Sequence, residues 1–425
     1  MARFSEAKYE AETQSFAKRC GAAHCRGCKR IGLHPVADFG AMPLSDGFAP
    51  ASTNYPDPRA PLALAVCASC GLTQLLDTLP LEQLFGPNYV YLSSVSTTIV
   101  DAARANAEAL ITQYRLGRDD LIVELACNDG YLLRHFAARG IPVLGIEPAP
   151  VPAAATRSAG IDLVESFFSL NLARDLAGRG RRPRLVIANN VVAHVPDPND
   201  LVAGIAALLA ENGVAVVEVH SLADLVAKSQ FDTIYHEHAS YFSATSIAIL
   251  FRRHGLQLID LVRIPQQGGS LRMHFARTGQ PSAGVAAQLA EEARTGVADG
   301  AALTGFAERV AATVDRLRRL ILGFAADDRR VAAYGAAAKG TMLLNHLGFD
   351  ERIIGYVIDR NPHKQGRRVP GVRIPIAGPE RLVTEPPDVI LLLPWNLRDE
   401  ILPALESFRL KGTRIIVPLP EVEVL

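Results

Sequence analysis

Between about Asp101 and Ala276 the apolar residues gather into short blocks, Leu121–Leu125, Val143–Ile146, Leu185–Ala188 and Val214–Val219. Helically spaced stretches such as Tyr131–Phe136 and Leu201–Leu209 lie between them. Short unbroken apolar blocks are strands buried on both faces, and their alternation with helices predicts a parallel sheet covered on both sides. Two more strand-like runs, Leu258–Arg263 and Leu271–Phe275, close this unit. Further on, Phe306, Val310, Val314, Leu317, Ile321 and Phe324 recur at helical steps within an alanine- and charge-rich stretch from Ser282 to Arg330. They predict an amphipathic helix that packs on one side. The alternation then returns in Arg330–Tyr334, a helix from Gly340, Ile353–Ile358, Val389–Leu393 and Arg414–Val417, a second α/β unit. The first 85 residues lack this rhythm and hold short strand-like pieces, many prolines and most of the cysteines, as a small loop-rich module would. The expected units are 1–85, 86–278 and 279–425.

Composition agrees with several domains. A chain of 425 residues exceeds what one core usually serves. Hydrophobic residues make up 49% and charged residues 21%, a folded rather than disordered balance. With 44 basic and 44 acidic residues the chain has no net field to gather nucleic acid or an anionic membrane. No apolar run approaches the roughly 18 residues of a membrane span. The opening MARFSEAKYEAETQSF has no apolar signal core, so a cytoplasmic location is expected. In such a compartment the 6 cysteines are thiols or metal ligands in preference to disulfides.

Four cysteines form two Cys-x-x-Cys pairs, Cys25/Cys28 and Cys67/Cys70, each beside a glycine, Gly27 or Gly71. Two such knuckles can present four thiolates tetrahedrally, a closed structural site for Zn²⁺ that would staple a module too small to hold itself together. Cys20, His24 and His34 lie close enough in sequence to replace a ligand.

The turn Glu124-Leu-Ala-Cys-Asn-Asp-Gly130 joins an apolar strand to a helix, the place where open α/β sheets bind nucleotides. Only Gly130 remains of the glycine set a dinucleotide would require, which disfavours an NAD-dependent oxidoreductase. An acid-rich turn suits S-adenosylmethionine, whose sulfonium and ammonium groups are cationic, and Glu147, at the end of the next strand, can accept both ribose hydroxyls. Three other stretches are richer in polar groups than a core sheet requires: Ala188–His194, Tyr235-His-Glu-His-Ala-Ser-Tyr241 and Gln267-Gly-Gly-Ser-Leu-Arg272. Strand ends face the ligand crevice, so the three could line one pocket, with Asn190, His236, Tyr241 and Arg272 in its wall. His236 and His238 could ligate a metal, but no further ligand stands nearby in sequence. A histidine oriented by an acid or phenol, suited to moving protons near neutral pH, is the preferred reading.

Together these residues are recognisable. The cysteine pairs, Glu124–Gly130 running into Tyr131-Leu-Leu, Gly145-Ile-Glu-Pro148, Ala193-His-Val-Pro196, Phe231-Asp-Thr-Ile-Tyr-His-Glu-His238 and Gly268-Gly-Ser-Leu-Arg272 resemble the three-domain sugar C-methyltransferases. Tyr334-Gly-Ala-Ala-Ala-Lys-Gly340, Ile358-Asp-Arg-Asn-Pro362 and Leu393-Pro-Trp-Asn-Leu397 extend the resemblance to the C-terminal half. It implies a class I, Rossmann-like S-adenosylmethionine-dependent methyltransferase domain between a small N-terminal four-cysteine zinc module and a C-terminal Rossmann-like α/β domain that helps hold a nucleotide-sugar. The implied ligands are zinc at Cys25, Cys28, Cys67 and Cys70, and S-adenosylmethionine along Glu124, Ala126, Asn128, Asp129, Gly130, Glu147 and Asn189. His238 is then the base, Tyr235, Glu237 and His194 surround the sugar, and Lys339 meets the diphosphate of a nucleotide, dTDP by expectation. A monomer suffices for this.

The sequence departs from that family where glycine and serine are usual and Ala126 and Cys127 stand, and where Val219-His220-Ser221 replaces a proline-containing turn. The second change touches the pocket wall. An O- or N-methyltransferase of a non-sugar metabolite needs no second α/β unit, and a non-catalytic zinc-bearing scaffold would bind nucleotide without turnover.

Overall fold

The computed structural model describes residues 13–86 and 89–425, so most of the opening segment read for a signal core lies outside the described residues. The middle unit is a seven-stranded sheet in the order Gln257–Ile264, Ser270–Ala276, Val214–His220, Leu185–Asn189, Ile122–Leu125, Val143–Ile146, Leu163–Val164. The five strands from Val214–His220 outward are parallel. The other two form an antiparallel hairpin, so the expected all-parallel sheet is corrected to a mixed one. The cause is the short connection between them, since a parallel return needs a crossover of about a dozen residues.

Alternation within the strands divides two cores. Val123, Leu125, Val186, Ala188, Val217 and Met273 face one, and Ile122, Leu185, Ile187, Val214 and Val216 face the other. The second face is covered by the helix Thr97–Tyr114, which starts on a Ser96 side chain that accepts the Ile99 N–H.

The C-terminal unit has its own sheet, ordered Ile376–Ala377, Ile354–Ile358, Val331–Tyr334, Val389–Leu392, Arg414–Val417, Glu423–Val424, parallel except for the last strand. The amphipathic helix before it runs from Phe306 to Ala326 and buries Phe306, Val310, Val314, Leu317 and Ile321, as their spacing predicts. The alanine-rich stretch ahead of it is a separate helix, Ala283–Arg294.

The N-terminal module is a wedge. Its strand Arg59–Val66 sends Leu62, Leu64 and Val66 into the C-terminal core and Ala65 into the middle core. Its sheet is completed from the middle of the chain, where Ser240–Tyr241 pairs with Thr73–Leu75. That pairing directly follows the Tyr235–His238 turn.

One buried acid fastens the connecting helix to the middle unit. Glu292, fully buried, accepts the Ala244 and Thr245 N–H groups at 2.8 Å each, the Thr245 hydroxyl at 2.7 Å and the Gln288 amide at 3.0 Å. It therefore satisfies the otherwise unmet donors at the start of the helix Ala244–Arg252. Glu292→Ala is expected to lower stability by about 3 kcal/mol, because buried N–H groups lose a charged acceptor. Chemical denaturation should show this as a lower midpoint, with Glu292→Gln between the two.

Candidate functional site

The cofactor crevice lies at the carboxyl ends of the parallel strands. After the strand Ile122–Leu125 the chain turns sharply, with positive φ at Ala126 (48°), Asn128 (53°) and Gly130 (73°). Ala126 is exposed in this turn, and its methyl bears the strain that the usual glycine avoids. Gly130 holds a φ of 73°, which an L side chain rarely adopts, and a Cβ there would also press on the Ile161 Cδ1 at 2.6 Å.

Glu147 braces the turn: its two oxygens accept the Asn128 N–H at 3.0 Å and the Ala149 N–H at 2.8 Å. The segment before the first helix covers the turn, with Ser93 N–H on Asn128 Oδ1 at 2.8 Å and Ser94 N–H on Asp129 Oδ2 at 3.0 Å.

Glu124, Asp129, Glu147 and Glu218 converge here. Glu124 is 1% exposed, and its pKa is raised well above the usual carboxylate range by burial, then by Glu218, Glu147 and Asp129. Burial also raises Glu147 to about 7. Glu124 Oε2, Asp129 Oδ1 and Asn189 Oδ1 are buried without a hydrogen-bond partner among the described residues. Acceptors left open among crowded carboxylates fit a cationic, hydroxyl-bearing ligand, which is the chemistry of S-adenosylmethionine.

A second cavity is lined by Asn190, His194, Val219, His220, His238 and Tyr241. His238 is buried, stacks on Tyr235 at 4.1 Å between ring centroids, and places Nδ1 2.8 Å from Thr233 O. His194 lies 4.8 Å from it, with its own Nδ1 2.6 Å from Glu237 O. Because a carbonyl only accepts, both rings carry hydrogen on Nδ1 and turn a free Nε2 lone pair outward. Burial lowers the pKa of both from the usual histidine value, that of His238 further because His194 and His220 face it.

Two residues expected in this wall face elsewhere. His236 turns to the N-terminal module, Nε2 3.1 Å from Ala60 O, because the turn closed by His238 N–H on Tyr235 O separates its ring from that of His238. Arg272 lies across from Glu218 in the antiparallel pair and binds it at 2.6 Å, so strand alternation directs it to the carboxylate crevice.

Beyond Tyr235, Glu237 is joined by two residues the sequence did not mark, Asp46 and Tyr89. Burial, then Asp46, raises Glu237 to about 7, and its Oε2 has no hydrogen-bond partner among the described residues. Tyr89 joins them, its pKa raised by burial and then by Asp46, Tyr91, Glu147 and Glu237. Lys339, buried on the helix Ala338–Leu347, sits 5.3 Å from the Trp395 ring and donates to Gln267 O at 3.2 Å. Trp395 donates to Asp232 Oδ2 at 2.7 Å, which joins the C-terminal and middle units.

In the N-terminal module the Sγ atoms of Cys25, Cys28, Cys67 and Cys70 all lie within 4.8 Å of one another, with Cys25 to Cys70 at 3.5 Å and Cys28 to Cys67 at 3.6 Å. A tetrahedral site of four thiolates with zinc–sulfur bonds near 2.3 Å has edges of about 3.8 Å, so the four thiols fit zinc. Cys20, His24 and His34 are not part of the cluster.

Comparison with known proteins agrees. Three family models match in series, a putative zinc binding domain over residues 25–85, a methyltransferase domain over 101–261 and a C-methyltransferase C-terminal domain over 265–420. The C-methyltransferase NovU of Streptomyces niveus is 35% identical over 405 residues, 94% of this chain and 96% of NovU. Among solved structures, magnesium protoporphyrin IX methyltransferase from Synechocystis PCC 6803 with bound SAH is 13% identical, over 47% of this chain and 93% of its own, with a TM-score of 0.35. The 1,6-didemethyltoxoflavin-N1-methyltransferase of Burkholderia thailandensis is 21% identical, over 42% and 79%, with a TM-score of 0.33. With NovU matched along nearly its whole length and all three domain models in order, this chain belongs to the three-domain, zinc-binding, S-adenosylmethionine-dependent C-methyltransferase family.

Proposed function

We propose that the enzyme methylates C3 of a nucleotide-linked 4-keto-deoxysugar, dTDP being the expected nucleotide, and that His238 is the base. The observation that carries this reading is the tautomer that Thr233 O fixes on His238, a buried imidazole whose Nε2 lone pair is left free in the cavity it lines with Asn190, His194 and Tyr241. A 4-keto group acidifies the hydrogens on C3 and C5; His238 Nε2 takes the one on C3 in the preferred reading, and removal of the one on C5 is the alternative. Tyr235, Glu237 and His194 surround the sugar, with Asn190 and Tyr241 in the wall.

S-adenosylmethionine, when bound, supplies the electrophilic methyl that the enolate carbon takes. Glu124, Asp129 and Asn189 offer open acceptors for its charged end, and Glu147, whose oxygens each accept one backbone N–H, meets its ribose with their remaining lone pairs. Ala126, Asn128 and Gly130 shape the turn that brings the backbone close. The nucleotide extends out of the cavity toward the C-terminal unit, where Lys339 is the expected partner of its diphosphate. Among the described residues no helix is long and apolar enough to cross a membrane, in keeping with a substrate in water.

Proton removal that precedes methylation can be read without it. In deuterated water and without S-adenosylmethionine, the enzyme is expected to exchange the C3 hydrogen of such a substrate, followed by NMR. Exchange at C5 alone, or at neither carbon, contradicts the C3 assignment.

A further inference from the structure

The cavity holds three imidazoles, and the fold ties down two. His194 and His238 spend their Nδ1–H on backbone carbonyls and offer Nε2 only as an acceptor. Neither nitrogen of the third, His220, has a hydrogen-bond partner among the described residues. His220 ends the strand Val214–His220, half-buried, and stands edge-on to His238 with ring centroids 5.4 Å apart. A neutral imidazole in that place presents one donor and one acceptor to the cavity.

Proton removal beside a ketone makes an oxyanion, and an oxyanion requires a donor. Of the other donors, Tyr241 directs its hydroxyl to Thr233 O at 3.5 Å and Lys339 is engaged with Gln267 O, which leaves the Asn190 amide as the competitor that Asn190→Ala tests. Resting on the reading above, we propose that His220 donates an N–H hydrogen bond to the oxygen that becomes negative as His238 removes the proton. The C–H bond breaks and its proton goes to His238 Nε2. Its electron pair forms the carbon–carbon double bond, and the carbonyl π pair moves onto oxygen. His220 keeps its proton throughout and only donates. Burial, then Lys339 and His194, hold His220 well below the usual histidine pKa, so the ring meets the substrate neutral.

Loss of one such donor typically lowers kcat by about 10² to 10³. His220→Phe is expected to lose turnover and deuterium exchange by that factor while binding S-adenosylmethionine normally. His220→Gln, which keeps an N–H and cannot act as a base, should recover about tenfold over His220→Phe, and unchanged cofactor binding and thermal unfolding would show that both variants fold. The proposal is overturned if His220→Phe exchanges and turns over as the unmodified enzyme does. It is equally overturned if His220→Gln is as inactive as His220→Phe, which would make the residue a base, or if Asn190→Ala stops exchange while His220→Phe does not. Failure of the unmodified enzyme to methylate any 4-keto nucleotide-sugar overturns the underlying reading instead.

Discussion

Replacing His238 by alanine is expected to leave S-adenosylmethionine binding intact and to lower kcat by roughly 10² to 10⁴, the usual contribution of a positioned general base. The ring touches Tyr235, His194 and His220 and none of the crevice carboxylates, so cofactor affinity measured by calorimetry should not move. The pH dependence follows from its setting. Burial, then the neighbouring His194 and His220, disfavours the imidazolium and lowers the pKa well below 6.5. A base works above its pKa, so the contribution of His238 to kcat/KM should hold steady as pH falls through 6.5 and decline only at lower pH, any change near 7 belonging to Glu147 and Glu237. Stability runs the same way: the unfolded chain takes up the proton near 6.5 and the folded chain does not, so acid below that value favours unfolding. Near-normal turnover by His238→Ala would remove the residue from the mechanism.

What the sequence disclosed depended on how each feature is encoded. Strands buried on both faces leave apolar blocks, and Val143–Ile146 has the same ends in sequence and structure. The edge strand Leu163–Val164 is too short to leave a block. The last two strands of the middle sheet were legible as strands but not in direction, because an apolar run has no direction. The missed signal was the short link at Pro265–Gly269. Glu124–Gly130 and Glu147 were legible as a group from the sequence because they follow or end adjacent strands. Asp46 and Tyr89 were not, because tertiary folding alone brings a Ser-Asp-Gly turn of the first module beside Glu237. His236 was misplaced because proximity in a turn says nothing of which way each ring faces.

Removal of zinc, or Cys67→Ser, is expected to cost more than the module itself. Structural zinc contributes apparent binding energies of about 10 to 16 kcal/mol in small zinc domains, comparable to the whole stability of many folds. Here the metal site is wired to the active site through the backbone. Arg26, inside the first knuckle, gives its N–H to Gln74 Oε1 at 2.8 Å and its guanidinium to Leu75 O and Ala239 O. Asn199 of the middle unit holds the same knuckle through Arg26 O and Gly27 O. Gln74 pairs with Ser240, two residues past His238, so a loosened knuckle frees the strand that fixes the base. Dialysis against a strong chelator should therefore lower the unfolding temperature, open the first module to protease and abolish turnover together. Readdition of Zn²⁺ should restore all three in the unmodified protein and not in Cys67→Ser. Full activity in metal-free protein would show that the four thiols hold the fold without zinc.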